Sequence, residues 1–433
     1  MQTHFSLAQL ADPDIAEADR ILRACVHCGF CTATCPTYAL LGDELDSPRG
    51  RIYLIKNMLE ADAPATDTVV RHIDRCLSCL SCMTTCPSGV HYMHLVDHAR
   101  VHIEQTYSRP LPEQALRRLL ALVLPRPWLF RLALAGARMA PPLTALLPGR
   151  LQSLMAMAPA ALPGRSALDR TGVFPAEGER RMRVALLAGC AQRILDPEIN
   201  DATIRLLTRH GCEVVVADGA GCCGALTHHM GLEGPALASV RANVAAWTRE
   251  LDDGGLDAIV VNASGCGTTV KDYGFMLRND PRLSDAARRI SELAVDISEL
   301  IGRLDISGGA APELRVAYHA ACSLQHGQRV RAEPLALLRQ AGFQTAEIPE
   351  GHLCCGSAGT YNLLQPELAD RLLDRKLENI ARTEPQVVAA GNIGCITQLR
   401  TGAGVPVVHT VQLLDWATGG PMPSPLREHA ADT

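Results

Sequence analysis

The chain has 433 residues, which is too long for one hydrophobic core and predicts two or three domains. Its 41 lysines and arginines nearly balance 46 aspartates and glutamates, and the net charge of -5 excludes a general attraction to nucleic acid or acidic lipid. No apolar run predicts a transmembrane helix and no signal sequence opens the chain, so the 17 cysteines indicate a reducing compartment and metal binding.

Two cysteine runs of identical spacing stand in the first ninety residues. Each reads C-x2-C-x2-C-x3-C-P, over 25–36 and again over 76–87, and this run holds cubane clusters in two-cluster ferredoxins. Three thiolates of one tight turn can reach three irons of one cube, while the fourth cysteine, which precedes a proline, points to the other cube. The predicted ligand sets are therefore crossed: Cys25, Cys28, Cys31 and Cys86 for the first [4Fe-4S] cluster, and Cys76, Cys79, Cys82 and Cys35 for the second.

Disulfides and zinc are the two competing explanations for these runs. Disulfides need an oxidising compartment, for which the sequence gives no sign. Zinc knuckles use paired C-x2-C units, and a tetrahedral ion has no use for a third cysteine at the same spacing followed by Cys-Pro. The doubled run therefore favours two iron–sulfur clusters.

The segments around the first run predict helices. Residues 1–24 and 47–59 both space their apolar side chains as a helix does, and the second segment begins at Ser-Pro. The insert predicts an α-helical ferredoxin domain over 1–108. Arg49 and Arg51 open the second helix; they either offset the negative charge of the thiolate-bound clusters from a second shell or are simply solvated charges.

Three histidines follow the second run at helical spacing. His94, His98 and His102 recur every four residues and would share one helical face, as a ligand array does. A haem or zinc site more plausibly draws its ligands from several elements. We therefore predict packing or capping roles for these histidines.

Residues 109–180 predict a helical linker that prolines interrupt. Seven prolines fall between positions 110 and 148, around short apolar segments flanked by arginine, which fits three short helices. Trp128 and Phe130 could lie on a membrane surface. Because the segments are short and interrupted, packing against the ferredoxin domain or a partner subunit is the favoured interpretation.

From residue 182 onward the sequence repeats itself. Three motifs recur in the same order, two at an offset of 132 residues and the third at 129. They are the strand-like runs ending at Cys190 and Cys322, the Cys-Cys-Gly motifs at 222–224 and 354–356, and the Gly-Cys pairs ending at Cys266 and Cys395. Strands that alternate with helices predict a mainly parallel sheet in each repeat, hence α/β modules over 181–305 and 312–418 and a tail over 419–433.

The repeated cysteines are candidate ligands for a further metal. Ligands of parallel sheets gather at the carboxyl ends of the strands, where these cysteines stand. The predicted convergent thiols are Cys190, Cys222, Cys223 and Cys266 in the first module and Cys322, Cys354, Cys355 and Cys395 in the second. The metal could be an iron–sulfur cluster of unusual shape or zinc, and one of the two sites could hold none. Cys212 has no counterpart and is predicted to pack.

Two ferredoxin runs followed by two Cys-Cys-Gly modules resemble the iron–sulfur subunits grouped with heterodisulfide reductase, anaerobic glycerol-3-phosphate dehydrogenase and glycolate oxidase. Within that group, residues 25–38, 41–56 and 322–328 closely resemble the glycolate oxidase iron–sulfur subunits, and the resemblance covers nearly the whole chain. One departure stands out. Each module ends in a single cysteine, Cys266 or Cys395, where the group often has C-x-x-C, which argues against a five-thiolate cluster.

The resemblance implies an electron-transfer subunit of a membrane-associated glycolate oxidase complex, cytoplasmic and peripheral on the inner face of the bacterial inner membrane. Partner flavoprotein subunits would carry FAD and oxidise glycolate to glyoxylate, with quinone as the acceptor. The chain has no Gly-x-Gly-x-x-Gly fingerprint and no acid–base constellation, so we expect no catalytic residue in it.

Three alternatives remain at this point. The chain could be a catalytic subunit of the heterodisulfide reductase kind, in which the Cys-Cys-Gly sites reduce a substrate. It could transfer electrons for D-lactate or glycerol-3-phosphate oxidation instead. Its modules could also be a zinc-bound docking scaffold.

Overall fold

The structure is a computed structural model that describes residues 1–139, 162–304, 306 and 313–432. It confirms the predicted fold class, with a helical N-terminal region followed by two α/β modules. No helix in the described part of the chain combines the length and the apolar character needed to span a membrane.

The N-terminal region is built from short helices around one core. They are α1 (Leu7–Leu10), α2 (Pro13–Ala24), α3 (Pro36–Leu41), α4 (Pro48–Glu60), α5 (Asp67–Asp74), α6 (Ser81–Thr85) and α7 (Tyr92–Thr106). Helix α4 begins as predicted at Ser-Pro, where the Ser47 hydroxyl accepts a hydrogen bond from the Gly50 N–H at 3.1 Å. Its apolar face packs against α2, α5 and α7, and this core carries the cysteine loops on its surface.

Two proline-initiated helices follow, α8 (Leu111–Val123) and α9 (Pro127–Met139). The third helix predicted for the linker falls largely on 140–161, outside the described residues. Phe130 is buried while Trp128 is 65 % exposed, so the two aromatic rings do not share one exposed face. Helix α9 packs against the first module, whereas the favoured interpretation placed the linker against the ferredoxin domain or a partner subunit.

The first module is a five-stranded sheet covered by helices. Its strands β1 (Gly172–Phe174), β2 (Met182–Leu186), β3 (Cys212–Val216), β4 (Ala258–Val261) and β5 (Ala294–Asp296) lie in the order β1-β3-β2-β4-β5. Only β1 runs antiparallel to its neighbour. The helices are α10 (Gln192–Leu195), α11 (Glu198–Arg209), α12 (Ala225–His229), α13 (Glu233–Gly254), α14 (Ser264–Lys271), α15 (Tyr273–Met276), α16 (Ser284–Leu293) and α17 (Ile297–Ile301).

The second module repeats this sheet with four parallel strands. They are β6 (Arg315–His319), β7 (Gln344–Glu347), β8 (Val387–Ala390) and β9 (Val407–His409), in the order β7-β6-β8-β9. This order matches β3-β2-β4-β5 of the first module, as an internal duplication requires. Its helices are α18 (Glu333–Gln340), α19 (Tyr361–Leu364), α20 (Pro366–Ala381), α21 (Ile393–Arg400), α22 (Thr410–Ala417) and α23 (Ser424–Asp432), with a π-helix over Ser323–Gln328.

The two modules are fused through a shared interior. One hydrophobic core contains residues of β2, β3 and β4 together with residues of β6, β8 and β9. Helices α11 and α22 pack against each other, and Arg205 and Arg209 both donate to the buried carboxylate of Asp415. The Nε2 of His409 contacts the carbonyl of Asn262 at 2.8 Å. The carboxyl ends of both sheets are therefore held in a fixed relation.

Candidate metal centres

The two ferredoxin cysteine loops share an unusual feature of the backbone. Two matching positions in each loop adopt a left-handed φ: His27 at +59° and Gly29 at +85° in the first, Ser78 at +51° and Leu80 at +62° in the second. Three of these four residues are not glycine, and each such conformation costs free energy that the surrounding structure must offset. The same unfavourable φ values recur at matching positions of both motifs, which indicates that this turn orients the cysteines.

The cysteines predicted for the first cluster gather around one small cavity. Cys25 ends α2, Cys31 lies in a short 3-10 helix, and Cys86 ends α6 directly before Pro87. These three and Cys28 line the same cavity, although Cys86 comes from the other run; Cys82 of the second predicted set also lines it. Cys28 is exposed to solvent, so this group lies at the protein surface.

The cysteines predicted for the second cluster are all buried. Cys35 leaves its own run and lies among Cys76, Cys79 and Cys82, because α3 begins at Pro36 and turns the chain inward. Burial raises the pKa of Cys79 and Cys82 well above the usual range, and neighbouring thiols add to the effect. Bare thiolates are unfavourable here, whereas metal coordination deprotonates such thiols.

Arg51 is the cation of this group. Its side chain is 1 % exposed, and its Nη1 lies 3.7 Å from the sulfur of Cys35. Its Nε donates to the carbonyl of His72 at 2.7 Å and its Nη2 to the carboxylate of Asp46 at 3.3 Å. Burial lowers the pKa of Arg51, but negative charge on Cys76 and its neighbours raises it overall. Arg49, by contrast, pairs with Glu44 in a bridge that is open to solvent.

These observations fit two thiolate-held iron–sulfur clusters. The donors are free cysteines without disulfide partners, presented by two loops with matching left-handed positions. The deeper group has a buried guanidinium against its sulfur atoms, as a second-shell group that offsets cluster charge would be placed.

The histidines at helical spacing contact protein groups. The His94 ring stacks on Phe275 with centroids 3.4 Å apart, and its Nε2 lies 2.8 Å from a carboxylate oxygen of Asp272. His98 is half-buried and its Nε2 has no hydrogen-bond partner among the described residues, whereas His102 contacts the carbonyl of Ala63 at 3.0 Å. His94 thus joins the ferredoxin region to the first module, in line with the predicted packing role.

The four thiols of the first module meet at the carboxyl ends of its strands. Cys190 follows β2, Cys222 and Cys223 follow β3, and Cys266 lies in the first turn of α14 after β4. Hydrogen bonds from Cys190 and Cys223 lower the pKa of Cys222 to about 3. The Asn243 amide holds the loop, because it accepts from the Gly221 N–H at 2.8 Å and donates to the Cys222 carbonyl at 2.9 Å.

The glycine of each Cys-Cys-Gly motif is required by the backbone. Gly224 has φ +87° and Gly356 has φ +91°. A Cβ would lie 3.0 Å from the Ala236 carbonyl oxygen at the first and 2.5 Å from that of Ala369 at the second. The left-handed turn and the close helix carbonyl together leave room for glycine alone.

The second module adds a ligand type that the sequence analysis missed. The sulfurs of Cys322 and Cys354 are 3.9 Å apart, and Cys355 and Cys395 lie beside them. The ring of His319, the last residue of β6, joins Cys355 and Cys395. Comparison of the repeats could have shown it, because the first repeat has leucine at the matching place.

The second cluster group adjoins the second module. Cys79 lies in one apolar cluster with Cys354 and Cys322, so thiols of the two sites are neighbours. The π-helix after Cys322 packs on α6, where the Thr84 hydroxyl lies 2.8 Å from Nδ1 of His326. The motif over 322–328 thus forms one of the contacts between the two regions.

A cavity of about 330 Å³ lies between the ferredoxin region and the two modules. Thiols of all three parts line it, among them Cys76, Cys222 and Cys322. Phe130 and Leu134 of α9 supply part of an apolar wall. Small-molecule sites have similar volumes and similar linings.

Comparison with known proteins follows the same division of the chain. A model described as "4Fe-4S dicluster domain" matches residues 21–90, and one described as "Cysteine-rich domain" matches residues 184–271 and 316–400. The chain is 44 % identical over 423 residues to the glycolate oxidase iron–sulfur subunit of Escherichia coli, covering 96 % of this chain and 99 % of that one.

More distant relatives agree. The probable glycolate oxidase iron–sulfur subunit of Bacillus subtilis is 31 % identical, with 91 % of this chain and 94 % of that one covered. Lactate utilization protein A of the same organism is 25 % identical and covers 54 % of this chain and 99 % of its own length. A solved structure, a hypothetical protein from Helicobacter pylori, superposes with a TM-score of 0.54 at 10 % identity over 97 % of this chain and 76 % of that one, which shows the fold alone.

Proposed function

Since the chain belongs to the family of glycolate oxidase iron–sulfur subunits, we propose that it is the electron-transfer subunit of a glycolate oxidase complex. A flavoprotein partner with FAD oxidises glycolate to glyoxylate, and a quinone accepts the electrons. The complex is cytoplasmic and peripheral on the inner face of the inner membrane. This chain contributes cluster ligands and no group that reacts with glycolate.

The proposed ligand sets are those that the cysteine spacing predicts, and the grouping of the thiols supports them. Cys25, Cys28, Cys31 and Cys86 hold the first [4Fe-4S] cluster, and Cys76, Cys79, Cys82 and Cys35 hold the second. Once bound, such clusters supply one-electron exchange. The left-handed turns at His27 and Ser78 orient the thiols, and the Arg51 guanidinium offsets thiolate charge in the deeper set.

The proposal rests on the difference in burial between the two cysteine sets. This difference also indicates the direction of electron transfer. Cys28 is exposed, whereas Cys79 is buried against Cys322 and Cys354 of the second module. The first set thus faces an outside partner and the second faces inward. Val26 and Phe30 flank Cys28 and are 66 % and 62 % exposed, so they form an apolar surface for the flavoprotein.

The replacement Cys25→Ser in the intact complex tests this function. Glycolate should still reduce the partner's flavin under anaerobic conditions, while reduction of a water-soluble quinone analogue falls to background. Cys212→Ala is the matched control, because Cys212 is buried in β3 away from both cysteine loops. Quinone reduction at the wild-type rate in Cys25→Ser would contradict the proposal. Faster flavin reduction by D-lactate than by glycolate would identify D-lactate as the substrate instead.

A second candidate function rests on the cavity. Because it touches thiols of both modules, it could hold a substrate that the Cys-Cys-Gly thiols reduce, as in a heterodisulfide reductase. The replacements Cys222→Ala and Cys355→Ala distinguish the two. Loss of turnover with both cubane EPR signals intact would favour a catalytic role for the modules.

A further inference from the structure

The two modules differ at one position that faces the thiols. His319 ends β6, and the matching place in the first repeat, 132 residues earlier, is Leu187 just after β2. Every cysteine of the second set has a counterpart in the first, so the histidine is an addition to a duplicated thiol site. Imidazole and thiolate together are the usual ligands of zinc.

The geometry of the added residue is that of a ligand. One ring nitrogen of His319 and the sulfurs of Cys355 and Cys395 all lie within 4.8 Å of one another. The three residues are 2 %, 1 % and 3 % exposed. Bonds of about 2.3 Å to a tetrahedral zinc would place two thiolate sulfurs about 3.8 Å apart, which this spacing accommodates.

The ferredoxin cysteines provide an internal comparison. In the described part of the chain, neither their eight sulfurs nor the thiols of the first module form a trio as tight as this one. Thiolates of a cubane each bind a different iron and so stand farther apart than donors that share one ion. The compact trio therefore fits a single ion better than a cluster.

The charged groups near the thiols also differ between the two modules. Gly224 and Gly356 contact the carbonyls of Ala236 and Ala369, which aligns α13 with α20. The residue seven positions further along is Asn243 in the first helix and Lys376 in the second. The Lys376 ammonium is buried and donates to the Glu350 carbonyl at 3.1 Å. A fixed cation beside the thiols offsets the charge of several thiolates around one divalent ion.

We propose that the second module binds a single zinc ion through His319, Cys355 and Cys395, and that the first module has no equivalent site. The ion joins the carboxyl ends of β6, β7 and β8, so it holds the second sheet together beside the buried ferredoxin thiols. Zinc has no redox chemistry, and it therefore makes the second module a structural support.

Metal analysis of the untagged, full-length chain in its native complex tests the proposal. We expect about one zinc per chain beside about eight irons, and a zinc-edge X-ray absorption spectrum in which the chain supplies one nitrogen and two sulfurs. The replacement His319→Leu, which installs the residue of the first module, should lose the zinc and keep the iron. Leu187→Ala is the control in the first module and should change neither metal.

If His319→Leu does not fold, the zinc-edge spectrum of the wild-type protein still tests the proposal. A shell of sulfur alone, or no zinc together with clearly more than eight irons, would overturn the proposal. His319→Cys should retain zinc with its nitrogen replaced by sulfur; an unchanged spectrum would show that His319 is not a ligand. These readouts do not depend on glycolate turnover, so they stand apart from the proposed function.

Discussion

The guanidinium of Arg51 lies 3.7 Å from the sulfur of Cys35, and both side chains are buried. A cation at this distance stabilises negative charge on the sulfur, because the local dielectric is low and water is excluded. From the sequence alone, Arg49 and Arg51 were equal candidates for offsetting the negative charge of the clusters. The structure separates them, since Arg51 is buried against Cys35 whereas Arg49 pairs with Glu44 and lines the cavity of the first cysteine group.

Replacing Arg51 should change the second cluster and leave the first nearly untouched. We expect Arg51→Gln to lower the reduction potential of the second cluster by about 60 mV, equivalent to a tenfold change in a one-electron equilibrium. It should also cost about 3 kcal/mol of unfolding free energy, because Asp46 loses a buried partner. An EPR redox titration of the complex measures the potential, and Arg49→Gln, with an expected shift near zero, is its control.

Phe30 should be a docking residue for the flavoprotein. Because it is 62 % exposed beside Cys28, Phe30→Glu should leave both clusters and the fold intact but raise the Kd for the partner about tenfold or more. Leu132→Glu is the matched control, since Leu132 is equally exposed on α9. Equal losses of binding in the two variants, measured by titration of purified subunits, would place the interface elsewhere.

The contact between the modules should weaken in acid. Burial lowers the pKa of His409 from 6.5 to about 4, so the unfolded chain binds the proton more readily. This stabilisation is complete above pH 6.5 and is lost as the pH falls toward 4, by about 3 kcal/mol. His409→Asn keeps a helix-capping acceptor but does not titrate. The gap in urea midpoint between wild type and variant should therefore narrow from pH 6.5 to 4; a constant gap would contradict this assignment.

The glycines of the two Cys-Cys-Gly motifs should not be equally sensitive. Gly356→Ala should destabilise by about 3 kcal/mol and Gly224→Ala by less, because the added Cβ comes closer to the facing helix carbonyl at Gly356. Thermal unfolding of the two variants gives the comparison. If Gly224→Ala were the more destabilising variant, the backbone around Gly224 would be less able to move away from the added Cβ than the backbone around Gly356.

The repeats and spacings in the sequence predicted much of this molecule. The doubled cysteine run, the duplication and the strand–helix alternation led to the ferredoxin region and two mainly parallel sheets, because each is a local pattern with one usual outcome. Spacing also predicted that Cys35 and Cys86 leave their own runs.

What the sequence could not supply depends on contacts between distant segments. The proximity of Cys79 to Cys322 arises from packing of α6 on the π-helix, some 240 residues apart in the chain. His319 is different, because alignment of the two repeats shows a histidine where the first repeat has Leu187, although a lone histidine at a strand end carries no spacing signal. The cavity likewise exists only where three parts of the chain meet.

The continuous core between the two sheets also bears on how the modules arose and on whether they can be separated. Two equivalent sheets that bury one interior between them have the form of a homodimer whose subunits became joined in one polypeptide. Neither half alone could cover the surface that it buries against the other. Co-expressed halves, split between the two modules, should therefore reassemble into one particle, whereas each half produced separately should aggregate.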